Sequence, residues 1–255
     1  MAFFTVDDFS QTEQAGGFWL ISLKLPVNES LPEAFDIGST FWFDNLETPL
    51  YLFQQSRSAT GNQLQLLSKQ AIFANPVPDR VHVHPAENTQ ITAKVNSAPN
   101  LMLLGSHLSI ATALYLAKHR SQKEAQDKSL LTNNGQTLAL LHSEESFPFV
   151  VKPALFMTSH LPPEAIGTCS LLEDWHITNR LASSQGLPGC FDGELHEFFA
   201  YWIHSIERQN STPEKWQVIA CTAFETQKKC LETSQSCDWI DFSGIHYNES
   251  AFKNV

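Results

Sequence analysis

Leu101-Met-Leu-Leu-Gly-Ser-His-Leu-Ser-Ile-Ala-Thr-Ala-Leu-Tyr-Leu-Ala-Lys-His119 joins a run of apolar residues to an amphipathic stretch through a single glycine. Residues 101–105 read as a buried strand, and 108–119 carry the apolar spacing of a helix. A strand that turns into a helix is the repeating unit of an α/β sheet. The helix start gathers unpaired N–H groups and the positive end of the macrodipole, so a nucleotide phosphate is the ligand that suits it. Dinucleotide binders bring the backbone against the pyrophosphate with several glycines, whereas only Gly105 stands here, followed by Ser106, His107, Leu108 and Ser109.

On the C-terminal side, strand and helix patterns alternate. Residues 137–142 read as a second apolar strand and 153–158 as a further strand or an extended excursion. Residues 164–175 have helical spacing, 177–181 form a short strand, and the Gly/Pro-dense 186–193 is a loop. A helix follows over 194–208, with Leu195, Phe198, Phe199, Trp202, Ile203 and Ile206 on its apolar face and Asp192 as cap. A strand over 216–221 and a helix over 225–231 complete the pattern. Alternation of this kind predicts a parallel sheet with helices on its faces.

On the N-terminal side the reading is β. Residues 18–25 are apolar, aromatic and branched and end at Pro26; further strands are expected over 39–43, 49–54, 63–69 and 81–84. Turn clusters at Asp44-Asn45, at 60–62 and at 75–79 separate them, and a loop follows at 28–32. The polar run 121–134 is the end of a helix and a surface loop. Short strands at this density predict an antiparallel barrel or sandwich. The pattern changes near 96–100, dividing the chain into a β domain over 1–97 and an α/β domain over 98–255.

The chain has 255 residues, 42% of them apolar, and a formal net charge of -11. That charge argues against nucleic acid or an anionic membrane as partner, because neutralising phosphates takes clustered Lys and Arg. The first residues carry no basic n-region and no apolar run approaches the ~18 residues of a membrane span, so a cytoplasmic location without membrane insertion is expected. Five dispersed cysteines fit reduced thiols better than a disulfide framework. Gly-x-Ser-x-Gly, Walker A and His-Glu-x-x-His motifs are absent from the sequence, so hydrolase, P-loop and zincin readings have no support. His82 and His84 share one face of a strand and with His107 offer three imidazoles; polar positions on an amphipathic strand are the simpler reading, and no metal is expected. Cys190 stands in the 186–193 loop, read first as a structural turn and second as part of a ligand edge. The aromatic residues Phe198, Phe199, Tyr201 and Trp202 exceed what one helix face needs, so part of that surface, and of Phe3, Phe4 and Phe9, is a candidate protein contact.

A β-barrel followed by a nucleotide-binding α/β domain, with a strand-Gly-helix junction at their boundary, resembles the ferredoxin-NADP reductase superfamily. It is most similar to the electron-transfer subunit of bacterial dihydroorotate dehydrogenase and to flavin reductases. The resemblance implies an antiparallel Greek-key barrel that binds FAD and an α/β domain that binds NAD(P)H. The family's Arg-x-Tyr/Leu-Ser motif, which meets the flavin, is matched by Thr48, Pro49, Leu50 and Tyr51, with Leu52 next; the Arg and Ser positions hold Thr48 and Tyr51. Its Gly-Gly-Gly-Thr-Gly-Ile-Ala-Pro motif aligns with Gly105, Ser106, His107, Leu108, Ser109, Ile110, Ala111 and Thr112. Its Cys-Gly-Pro motif falls on Cys221, Thr222 and Ala223, which makes Cys221 the candidate catalytic residue beside the nicotinamide. Cys221, Cys230 and Cys237 have no close C-x-x-C pair, so a 2Fe-2S cluster is not expected. The implied activity is NAD(P)H-dependent flavin oxidoreduction with a partner protein as electron acceptor. The alternative is a non-catalytic scaffold or regulatory subunit that has kept the fold and lost its cofactors.

Overall fold

The computed structural model describes residues 2–26, 37–43, 48–58, 61–72, 79–84, 90–126, 135–209 and 213–247. The expected loop at 28–32, the turn at Asp44-Asn45, Thr60, most of the 75–79 cluster and the polar run from 127 lie outside them.

The N-terminal half is one antiparallel sheet of β1 (Ala2–Thr5), β2 (Asp8–Glu13), β3 (Trp19–Leu25), β4 (Thr40–Trp42), β5 (Leu50–Ser58), β6 (Gly61–Ser68) and β7 (Arg80–His84), in the order β1-β7-β4-β5-β6-β3-β2. β3 returns to pair with β6 beside the β4-β5-β6 meander, which is the Greek-key arrangement of a curled barrel sheet. Alternation fills the interior: Ile21, Leu23 and Leu25 face Leu64 and Leu66, with Leu50, Leu52, Val81 and Val83 around them. β1 and β2 escape the sequence pattern because they are the two ends of the sheet and keep a mixed, largely exposed composition.

The C-terminal half is a parallel sheet in the order β13-β12-β9-β8-β14-β15. Its strands are β8 (Asn100–Ser106), β9 (Thr137–His142), β12 (Thr178–Ser183), β13 (Phe191–Asp192), β14 (Trp216–Cys221) and β15 (Ile240–Gly244). On one face pack α1 (Ile91–Ser97), α2 (Ile110–Gln126) and α3 (Ser170–Asp174); on the other pack α4 (Leu195–Gln209) and α5 (Phe224–Ser234). α4 buries the six apolar positions read from its sequence, with Trp202 against Trp216 and Trp239. Arg120 of α2 is buried and donates to the Val95 carbonyl, satisfying the last turn of α1. Among the described residues no helix is long and apolar enough to cross a membrane.

The helix expected over 164–175 is correct only in its second half. Gly167 and Thr168 form β11 (Gly167–Thr168), paired with β10 (Lys152–Pro153), and the ladder holds their backbone groups. Residues 153–158 are accordingly an excursion rather than a strand of the parallel sheet. The 186–193 loop ends in β13, which extends the sheet beside β12.

Asn179 is fully buried in β12 and ties it to α3. Its side-chain oxygen accepts from the Cys169 N–H at 2.7 Å, and its amide donates to the Cys169 and Ile177 carbonyls at 3.3 Å. Asn179→Ala leaves these groups unpaired and is expected to lower the stability measured by urea unfolding by about 1–3 kcal/mol, with native far-UV circular dichroism retained.

Candidate functional site

After β8 the chain builds β9 and β12 to one side, then crosses to β14 and β15 on the other, so the sheet order reverses between β8 and β14. Open α/β sheets bind ligands at that switch point, off the carboxyl ends of the strands. Gly105 and Cys221 pair in register there. A Cβ on Gly105 would meet Ala113 Cβ and Leu141 Cδ2 at 3.0 Å, so this glycine brings α2 close onto the sheet. His107 has the left-handed φ of 51° that a glycine takes without strain. Ser109 Oγ lies 2.7 Å from the Ser106 carbonyl and 2.8 Å from the Cys221 carbonyl, so its single proton bridges the tips of β8 and β14. Ser106 is buried with its hydroxyl unpartnered. Cys221 is fully buried, and burial pushes its thiol far up, away from the thiolate.

Across the crevice, the expected flavin-facing residues separate by strand period. Leu50 and Leu52 turn into the barrel core, and Tyr51 turns toward α2. The Thr48 hydroxyl is buried without a partner, and Pro49 is partly buried beside it. The β5-β6 register slips between Leu52 and Gln54, and Phe53 packs against the helical domain. Tyr247, three residues beyond β15, meets Tyr51 edge to face with ring centres 5.2 Å apart and planes at 67°. Its hydroxyl is buried near Thr112 and Ser109, and burial raises its pKa well above the usual range. Tyr247 was missed by the sequence reading.

The sequence reading also missed a group at the tip of β9. His142 pairs with Ser106 in register, is 2% exposed, and has an unpartnered Nε2 3.9 Å from Glu194 Oε2. His107 Nε2 lies 3.8 Å from Glu144 Oε1, and the two imidazoles sit edge to face at 5.8 Å. Burial lowers the His142 pKa; Glu194 and Glu144 oppose that, while His107 and His196 add to it. His82 and His84 lie elsewhere, stacked on Trp42 of β4, and among the described residues no three His, Cys, Asp or Glu are grouped to hold a metal ion.

No protein-family model matches the sequence, and no curated protein does. Solved structures do. The cytochrome P450 reductase GcoB of Amycolatopsis superposes with a TM-score of 0.58 at 12% identity, over 95% of this chain and 69% of its own. The ferredoxin reductase of a carbazole 1,9a-dioxygenase gives 0.54 at 11%, over 95% and 69%. A mutant ferredoxin-NADP+ reductase of Plasmodium falciparum, in complex with 2'P-AMP, gives 0.50 at 10%, over 95% of both chains. The chain has the ferredoxin-NADP+ reductase-like fold. At such identities the likeness establishes the architecture and nothing finer.

Measured against the cofactors of that reductase fold, the crevice residues fit poorly. Tyr51 and Tyr247 are in contact at 5.2 Å between ring centres, which leaves less than the roughly 7 Å that a planar ring inserted between them would need. Thr48 offers no cation to a diphosphate. Glu144 and Glu194 bring carboxylates beside His107 and His142 at the tips of β8 and β9.

Two outcomes are expected. His107→Gly relieves the left-handed backbone and should stabilise the protein by up to about 1 kcal/mol, read as a higher urea midpoint. Burial raises Cys169 and Cys190 to about 11 and Cys230 to about 12, from 9.0. These thiols stay protonated in the native state and ionise on unfolding, so the stability they contribute is whole below pH 9 and lost as pH rises from 9 toward 11 or 12. Chemical denaturation across pH 8–11 should show that decline, and native protein should resist a thiol reagent at pH 8 that labels the unfolded chain.

Proposed function

We propose that this chain is a non-catalytic member of the reductase fold, a regulatory or scaffold subunit acting through a protein partner. The contact of Tyr51 with Tyr247 carries the reading, because it occupies the space between barrel and α/β domain where the fold's reductases work. Three further features support it: Thr48 in place of a cation, His107 and its carboxylate neighbours at the phosphate edge, and a Cys221 thiol buried too deeply to ionise. Gly105 is explained by packing alone.

A second reading is an NAD(P)H-dependent flavin oxidoreductase that passes electrons to a partner protein. One observation favours it: Thr48 Oγ1, Ser106 Oγ and His142 Nε2 are buried around the crevice without hydrogen-bond partners, and buried polar groups are ordinarily hydrogen-bonded. In this reading the wall of Thr48, Pro49, Tyr51 and the Leu50-Leu52 backbone faces a flavin. Ser106, His107, Ser109 and Thr112 then face a nicotinamide nucleotide beside Cys221.

The visible spectrum of the freshly purified protein, followed by calorimetric titration with FAD, FMN, NADH and NADPH up to about 100 μM, separates the two. Colourless protein without binding is expected. A yellow protein bleached by NADH or NADPH would overturn the non-catalytic reading.

A further inference from the structure

Among the described residues nine large hydrophobic side chains are exposed, and five of them, Val150, Leu155, Phe156, Met157 and Ile166, belong to the single excursion between β9 and α3. Its backbone is firmly held. β10 pairs with β11, the Ala154 N–H donates to the Ile166 carbonyl at 2.8 Å, and Thr168 Oγ1 donates to the Lys152 carbonyl at 3.2 Å. The Leu155 N–H donates to Glu173 Oε1 at 2.9 Å, and the Arg180 guanidinium donates to the Phe156 carbonyl. Glu173 and Arg180 are 5% and 4% exposed. Burying a carboxylate and a guanidinium is costly unless both are well paired. Here both are spent on the backbone beside Phe156, with Leu155 at 78%, Phe156 at 43% and Met157 at 95% exposure. Because the backbone is already anchored, binding would have to freeze only side-chain rotamers, and the backbone share of the ordering cost is already met.

Charge and area choose the occupant. Residues 150–166 contain one cation, Lys152, and one anion, Glu164, in a chain of net charge -11. A basic partner gains nothing from this neutral face, whereas two copies of an acidic chain approach with least repulsion through such a surface. The five side chains expose roughly 600–700 Å² together, near the ~800 Å² per partner of a standard interface.

We propose that residues 150–166 form the self-complementary face of a two-fold homodimer, with Leu155, Phe156 and Met157 at its centre. The proposal is independent of whether the crevice binds a cofactor.

Sedimentation equilibrium of the full chain from about 1 to 100 μM tests it. A dimer is expected, weakened at least tenfold by Leu155→Asp and by Met157→Asp, and unchanged within twofold by Phe224→Asp, an exposed apolar residue on α5. The substituted side chains are exposed, so circular dichroism should stay native. Raising the salt from about 0.05 to 0.5 M should tighten the dimer by screening like charges. A monomer at 100 μM overturns the proposal. So does a dimer that survives the Leu155→Asp/Met157→Asp double substitution, that Phe224→Asp weakens equally, or that salt loosens.

Discussion

Helix α2 is enclosed on nearly every side through its first three turns, and the rest of the architecture depends on how closely it fits. Toward the parallel sheet, Gly105 lets Ala113 and the backbone of Ile110 approach β8. Toward the barrel, Ala111 packs with Phe18 and Leu67, and Tyr115 touches both the barrel core and the helical core. Lys118 Nζ donates to Gln54 Oε1 of β5 at 2.6 Å at the rim of the same contact. Small residues where backbones meet and larger ones at the margins give close packing without voids. The helix that would present its N-terminus to a nucleotide is therefore also the wall between the two sheets.

That double duty shapes the crevice. Its floor is the tips of β8 and β14 bridged by Ser109, and its walls are Tyr51 and Tyr247. At the junction His107 holds a left-handed backbone that a glycine would take without strain. The chemistry lining it is that of imidazoles and carboxylates, His107 and His142 with Glu144 and Glu194.

Much of this was legible in the sequence because it is local. The β8-α2 junction, the alternating barrel strands and the apolar stripe of α4 each carry their period within a few residues. The edge strands β1 and β2 were not legible, since a half-exposed strand need not alternate. The start of α3 was misplaced because the pairing of Gly167 with Pro153 lies outside any local window. In the site, Thr48, Pro49, Leu50, Tyr51 and Leu52 are contiguous in sequence, but the period of two sends Tyr51 to the opposite face from Leu50 and Leu52. Tyr247 and His142 could be assigned to the crevice only once the strand order was known, because nothing near them in sequence names Tyr51 or Glu194.

A helix shared by two cores has a thermodynamic consequence. Neither the barrel nor the parallel sheet closes its own apolar face; each borrows part of α2, so melting one strips the other of its cover. The two halves differ in topology, in hydrogen-bond pattern and in the sequence periods that encode them. In energy they are coupled through that helix, because opening either half exposes apolar surface of α2 that the other half also uses.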